Sequence, residues 1–289
     1  AYSVCSMNVF SSYWGFFSIY AGVAHDKAED ALEAIRCELD SLREKGVTDE
    51  ELSMAKEQVK SSYIFGLENI NSRMFSIGKN KLLLGKVYSP EEVLKEFDSV
   101  TREDILQAAA MIGDYKSYCG AAVTGRMFVY DTISELVASG NPLGRSILGT
   151  PESLSAIDRD KLTGYYREKY ARDSIVVAIA GNFDEKAIAE LFEDRLNSLR
   201  DKKVTVRTEL KPYRQSFDVK ERDIEQTHIC LATPSVSMDD SKYYTFVLMN
   251  SIFGGSMSSR LFQSIREEKG LAYSVCSMNV FSSYWGFFS

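Results

Sequence analysis

Residues Gly254–Ser289, GGSMSSRLFQSIREEKGLAYSVCSMNVFSSYWGFFS, decide how the rest of the chain is read. Gly254-Gly255 interrupts the apolar run before it, and Ser256 to Ser259 offer caps for a following helix. Leu261, Phe262 and Ile265 recur at helical spacing, and Gly270 stands where a left-handed C-terminal cap belongs. Tyr273, Val275, Met278 and Val280 then open a strand-like run rich in β-formers. The stretch therefore reads as turn, helix, glycine and β-hairpin. Its last 18 residues, AYSVCSMNVFSSYWGFFS (Ala272–Ser289), also open the chain as Ala1–Ser18.

With 289 residues, the chain is long enough for one or two domains with sizeable cores. A net charge of −7 and a pI near 5.1 argue against a nucleic-acid surface. No apolar run reaches the ~18 residues of a membrane span. The first residues are strand-like, without the basic region or cleavage site of a secretory signal. The cysteines, Cys5, Cys37, Cys119, Cys230 and Cys276, are odd in number and contain no CxxC pair. They read as reduced, buried thiols, and a cytoplasmic location is expected.

Outward from the opening stretch, the chain alternates strands with amphipathic helices. Ala1–Ala21 reads as a hairpin with its turn near Ser11-Ser12. A helix is expected from Asp26 to Lys45, ended by Gly46. Thr48-Asp49-Glu50-Glu51 is a capping box for a long helix toward Met74, and Thr101-Arg102-Glu103-Asp104 opens another helix the same way. Ser89-Pro90 places proline at a first helical position. Strands are expected over Tyr115–Val123, Ile175–Ala180 and Glu225–Thr233, and helices over Asp131–Val137, Leu162–Tyr170, Ala187–Leu199 and Tyr243–Ile252. This pattern predicts an α+β fold, a mainly antiparallel sheet with helices packed on one face.

GGSMSSRLFQSIREEKGLAYSV resembles the C-terminal domain of the M16 zinc peptidases (the pitrilysin, insulinase and mitochondrial processing peptidase family), of the bacterial short-chain type. NPLGRSILGT and YYREKYARDSIVVAIAGNFD resemble the later part of the family's N-terminal domain. The resemblance implies the M16/LuxS-like fold, as one complete domain plus part of a second. Residues 1–126 with 215–289 form the C-terminal-type domain, 127–202 the second half of the N-terminal type, and 203–214 the linker. In family order the material after Met127 precedes the opening stretch, so the chain is permuted relative to it. Either the chain is a permutant, or it is an excerpt of a circularised sequence with overlapping ends. The two copies of the hairpin compete for one seat in the sheet, expected to be filled by Tyr273–Val280 and Trp14–Ala21 together, leaving Phe281–Ser289 and Ala1–Ser12 surplus.

The family's zinc is held by an HxxEH helix motif and a distal glutamate, and neither is found here. The chain has two histidines, His25 and His228, far apart. His25 reads as a surface or capping residue. His228 and Cys230, two apart on one strand face, make two ligands where a structural zinc needs four. Glu135 reads as solvent-facing. No catalytic or metal residue is therefore assigned, and no cofactor is expected in this chain. The resemblance does assign substrate contacts to Arg266 and Tyr273, seven residues apart. A guanidinium offers a planar fork of donors to peptide carbonyls, and a phenol can stabilise a developing oxyanion. The expected function is that of an incomplete M16 zinc metalloendopeptidase, inactive alone, whose parent hydrolyses peptides or unfolded proteins. The alternative is a non-catalytic substrate-binding subunit of an M16-type assembly. The expected partners are a peptide or unfolded protein and a zinc-bearing M16 half or subunit.

Overall fold

Phe17, Ile19, Ala21 and Val23 alternate along one buried face of β1 (Trp14–Val23), as the period of a strand requires. The chain is described by a computed structural model over residues 14–113, 119–123, 126–146, 148–172, 175–197, 199, 215–220 and 226–282. The expected hairpin arm before Trp14 and the linker 203–214 lie outside these residues. By its contacts the chain forms two units. One comprises Ala1–Ser61, Glu91–Arg145 and Glu209–Ser289, the other Ser62–Pro90 and Ser146–Thr208.

In the first unit, a 3-10 turn at His25–Lys27 leads into α1 (Ala28–Lys45), and Gly46 ends it at φ 66°. Ala31, Ile35, Leu39 and Leu42 form its buried stripe. The Thr48 capping box opens α2 (Asp49–Glu68): the Thr48 amide donates to Glu51 Oε2 (2.7 Å), and the Glu51 amide donates to Thr48 Oγ1 (3.1 Å). The long helix expected to run toward Met74 instead stops at Glu68. Asn69 turns extended, and its side chain accepts from the Ser72 amide to cap α3 (Ile70–Leu84). A mid-sequence asparagine competes for backbone donors in this way, and the apolar periodicity on either side conceals it.

α4 (Pro90–Ser99) and α5 (Arg102–Met111) follow as expected, and a complete Thr101–Asp104 capping box opens α5. Next come β2 (Cys119–Val123) and α6 (Arg126–Val137). The second unit takes α7 (Pro151–Ser155), α8 (Arg159–Lys169) and α9 (Glu185–Leu196) along with α3. The side chains of Thr150, Asp158 and Asp184 cap these three helices. Ile175–Ala180, expected as a strand, forms no ladder. No described segment of its unit is a strand with which it could form a ladder.

β3 (Phe217–Lys220), β4 (Thr227–Ser235) and β5 (Ala272–Ser282) complete one sheet of order β3-β2-β4-β1-β5. Among the described strands only the β2–β3 pair is parallel. The α+β, mainly antiparallel expectation therefore holds. α10 (Tyr243–Phe253) is apolar nearly all round, with Phe246, Leu248, Met249, Ile252 and Phe253 buried, as befits a central helix. Its Phe253 ring lies 6.0 Å from Phe17, which places α10 on the Phe17 face of β1. The opposite face is also buried at Ser18 and Tyr20. Thr233 Oγ1 donates to the Ile112 carbonyl, tying β4 to the end of α5.

Candidate functional site

The site is built where α10 ends and β5 begins. Gly254 has φ −157°, outside the left-handed region, so it is there for space and not for left-handed backbone. A Cβ on Gly254 would stand 2.5 Å from both the amide nitrogen and Oγ of Ser277. The strand is held against this turn. The Ser277 amide donates to the Gly254 carbonyl (3.0 Å), the Ser277 hydroxyl to Asn250 Oδ1 (2.9 Å), and the Gly255 amide to the Asn250 carbonyl (2.7 Å). The glycine pair thus brings α10 within backbone contact of the edge strand.

The segment expected as an ordinary helix is a π-helix over Phe262–Glu268. Its wide turn is closed by Gly270 at φ 60°, with the Lys269 amide donating to Ser264 and the Leu271 amide to Ile265. Phe262 and Ile265 are buried against the unit, and Arg266 is left half-buried. Its guanidinium lies over the Phe262 ring, 4.6 Å from the centroid, with Nε 3.9 Å from the Glu267 carboxylate. Stacking on a ring orients the planar fork.

Tyr273 stands at a β-bulge. The β1–β5 ladder pairs Gly22 with Ser274 but Val23 with Ala272, so Tyr273 is the extra residue. The inward positions Ala272 and Val275 are consequently three apart, where regular strand would make them two. Tyr273 is turned outward and is 63% exposed. Bulges and π-turns both recur at functional sites, where they re-aim a side chain. The structure thus puts Arg266 on the π-helix and Tyr273 on the bulge, consecutive elements that pack against each other. Neither irregularity is visible in helical or alternating spacing. The Ala272/Val275 interval of three is the one local trace.

A further arginine, Arg260 of SSRLF, anchors the site from below. Its Nε donates to Glu51 Oε1 (2.6 Å), and its Nη2 donates to Glu51 Oε2 and the Gly46 carbonyl (2.8 Å each). The side chains are only 17% and 24% exposed. The Arg260 guanidinium, more than the Thr48 amide, holds the Glu51 carboxyl below its usual range. Nothing in the local spacing of SSRLF foretells this partner, because Glu51 is 209 residues away.

The other sequence candidates sit elsewhere. His25 Nδ1 is hydrogen-bonded to Thr227 Oγ1 (2.6 Å) at an exposed position. His228 and Cys230 do share a face of β4, but His228 Nδ1 is bonded to the Tyr20 hydroxyl (2.7 Å), under a stacked ring. Burial pushes the Cys230 thiol strongly up, so it is held neutral where a metal needs thiolate. These two donors do not fit a zinc site. Among the described residues no group of three or more His, Cys, Asp or Glu side chains is placed to hold a metal. Glu135 is exposed. No described helix is long and apolar enough to cross a membrane.

A glycine turn, a π-helix carrying Arg266 and a bulged edge strand carrying Tyr273 are thus set side by side in an α+β domain. Comparison with known proteins gives the family. Residues 1–59 and 156–289 match the family described as "Peptidase M16 inactive domain", so the chain belongs to the M16 peptidase family. It is 35% identical over 156 residues to an uncharacterized zinc protease of Bacillus subtilis, YmxG, covering 54% of this chain and 37% of that one. An uncharacterized zinc protease of Streptomyces coelicolor is 31% identical over 204 residues, covering 68% and 41%. One of Rickettsia bellii is 30% identical over 213 residues, covering 73% and 48%. The chain therefore spans less than half the length of these curated relatives.

Proposed function

We propose that this chain supplies the substrate-contacting C-terminal-type domain of an M16 zinc metalloendopeptidase and does not itself carry the catalytic metal. In this reading residues 1–126 with 215–289 form that domain, and 127–202 belong to the second half of an N-terminal-type domain. The observation that carries it is the outward-turned Tyr273 at the β-bulge, beside the π-helix that holds Arg266 over Phe262. Arg266 donates to carbonyls of an extended peptide or unfolded protein. The Tyr273 phenol is the donor for the oxyanion that develops on the scissile carbonyl, and the zinc that would activate the attacking water would be held by the partner, not by this chain. The zinc-bearing half or subunit is the second participant, and the names of the relatives support zinc in the family.

The test uses the full chain with an unfolded reporter polypeptide. Alone, with added zinc, it binds the polypeptide without cleaving it. Mixed with a zinc-bearing M16 half it cleaves, and Tyr273→Phe lowers the rate constant by roughly 10²–10³ while leaving binding within about twofold. Turnover by the chain alone, abolished by chelation, overturns the reading. Binding without any cleavage in the mixture favours the second reading, a non-catalytic binding subunit, which the description of the matched domain as inactive also supports.

A further inference from the structure

The second unit has almost no core of its own. Among its described residues Ala171 is the one buried hydrophobic, while Phe65, Phe75, Leu162, Tyr166, Val176 and Val177 are exposed. Its helices are well formed locally, with side-chain caps on α3, α8 and α9, so the deficit lies in what they pack against. An apolar surface of this kind suits a permanent partner, since interfaces between permanent partners resemble a domain core cut in half.

The segment Ile175–Ala180 shows what kind of partner is missing. The Ile175 amide donates to the Arg172 carbonyl, but among the described residues no hydrogen bond reaches the main chain of Val176–Ala180. Ala178 lies against α3, where a Cβ on Gly78 would come within 3.0 Å of it, and Ala178, Ile179 and Ala180 are half-buried. Peptide groups drawn from water in this way are almost always paired in a folded protein. The side chains here are uncharged, and β-branched or small. Such a run is matched by another extended chain, which offers main-chain donors and acceptors at the same spacing. A second copy of this chain answers poorly, because it brings one such segment and no described strand of the same unit, and an isolated two-stranded ladder is marginal in water. The chain spans less than half the length of its curated relatives, and the remainder of such a relative is ample for several strands.

We propose that Val176–Ala180 is a strand-docking seat for the zinc-bearing half invoked above, which pairs its own strands with this main chain and covers the apolar side chains around it. The inference rests on the reading of this chain as part of an M16 peptidase. It adds where the second participant binds, and that its binding gives the second unit a core.

The test is amide hydrogen exchange of the full chain, read by mass spectrometry, alone and mixed with the zinc-bearing half used in the cleavage assay. Alone, Val176–Ala180 exchanges within about tenfold of an unfolded chain, and in the mixture it slows by roughly 100-fold or more while β4 is unchanged. Val177→Pro removes a main-chain donor at an exposed position and weakens association about tenfold or more. Val177→Thr keeps the amide and the β-branched shape and associates within about twofold of the parent. In both variants β4 exchanges as in the parent, which shows that the first unit is intact. A mixture that leaves the segment unprotected overturns the proposal, and if that mixture still cleaves, the proposed function stands without it. Protection without cleavage upholds the seat and counts only against the catalytic role of Tyr273. Protection of the chain alone that grows with its concentration makes a second copy the occupant, and protection by the unfolded reporter polypeptide makes it the substrate. Either result overturns the proposal, as does a Val177→Pro chain that associates like the parent.

Discussion

Gly254 is the residue at which the central helix gives way to the edge strand, and its missing side chain is occupied by Ser277. With a Cβ only 2.5 Å from the Ser277 amide nitrogen, Gly254→Ala has to push β5 outward. The expected cost is about 1–3 kcal/mol, the range for overpacking a tight site. It is checked by a lower urea midpoint and faster exchange of the Ser277 amide. Arg260 is a second anchor. Replacing it with alanine leaves the partly buried Glu51 carboxylate without its bidentate partner, at about 1.5–3 kcal/mol near neutral pH. Because the folded Glu51 carboxyl titrates below the ordinary 4.5, its stabilisation is complete above that pH and is lost as pH falls through the folded value. The difference between parent and Arg260→Ala should therefore be constant from pH 7 to about 5 and shrink below 4.5. Urea unfolding at stepped pH reads it directly.

At the scale of elements, the site depends on two departures from regularity. An α-helical Phe262–Glu268 would present Arg266 at a different angle to Phe262, and a regular β5 would turn Tyr273 and Val275 to the same face. α3 shows a different kind of cost. Its Lys79 is drawn into the second unit, and burial lowers its ammonium to about 7. Between pH 7 and 10 the unfolded chain then binds more protons than the folded one, so stability rises with pH across that window. Lys79→Met should flatten this slope and raise stability most at pH 7. Thermal melts of the two chains at pH 7, 8.5 and 10 check it. The same unit holds a cleft of about 480 Å³ lined by Leu67, Ile70, Ile77, Ile179 and Phe183. Ile175–Ala180 lies close to α3 there, where a Cβ on Gly78 would come within 3.0 Å of Ala178.

At the scale of the whole molecule, most of the fold was legible in the residues, and the site only in part. Capping boxes at Thr48 and Thr101, proline at the start of α4 and the left-handed glycines 46 and 270 announce their elements, because each satisfies backbone groups within four residues of itself. The family was legible too, since GGSMSSRLF and GLAYS carry it in contiguous residues. The break at Asn69 was hidden by continuous apolar spacing, and Ile175–Ala180 read as a strand because apolar composition says nothing about whether a partner strand exists. Arg266 and Tyr273 were named from the motif, whereas the π-turn and bulge that aim them, and the Arg260–Glu51 clasp beneath them, were not.

Local chemistry therefore decided where most of the helices, strands and turns fall, and which family the chain belongs to, since those signals act between near neighbours and need no third dimension. Tertiary structure alone decided that the β1–β5 ladder carries a bulge that turns Tyr273 outward, and that Arg260 closes on a carboxylate from another part of the chain. Each of these is a contact between segments far apart in sequence. Its energy exists only once the backbone has brought them together, so no spacing within either segment records it.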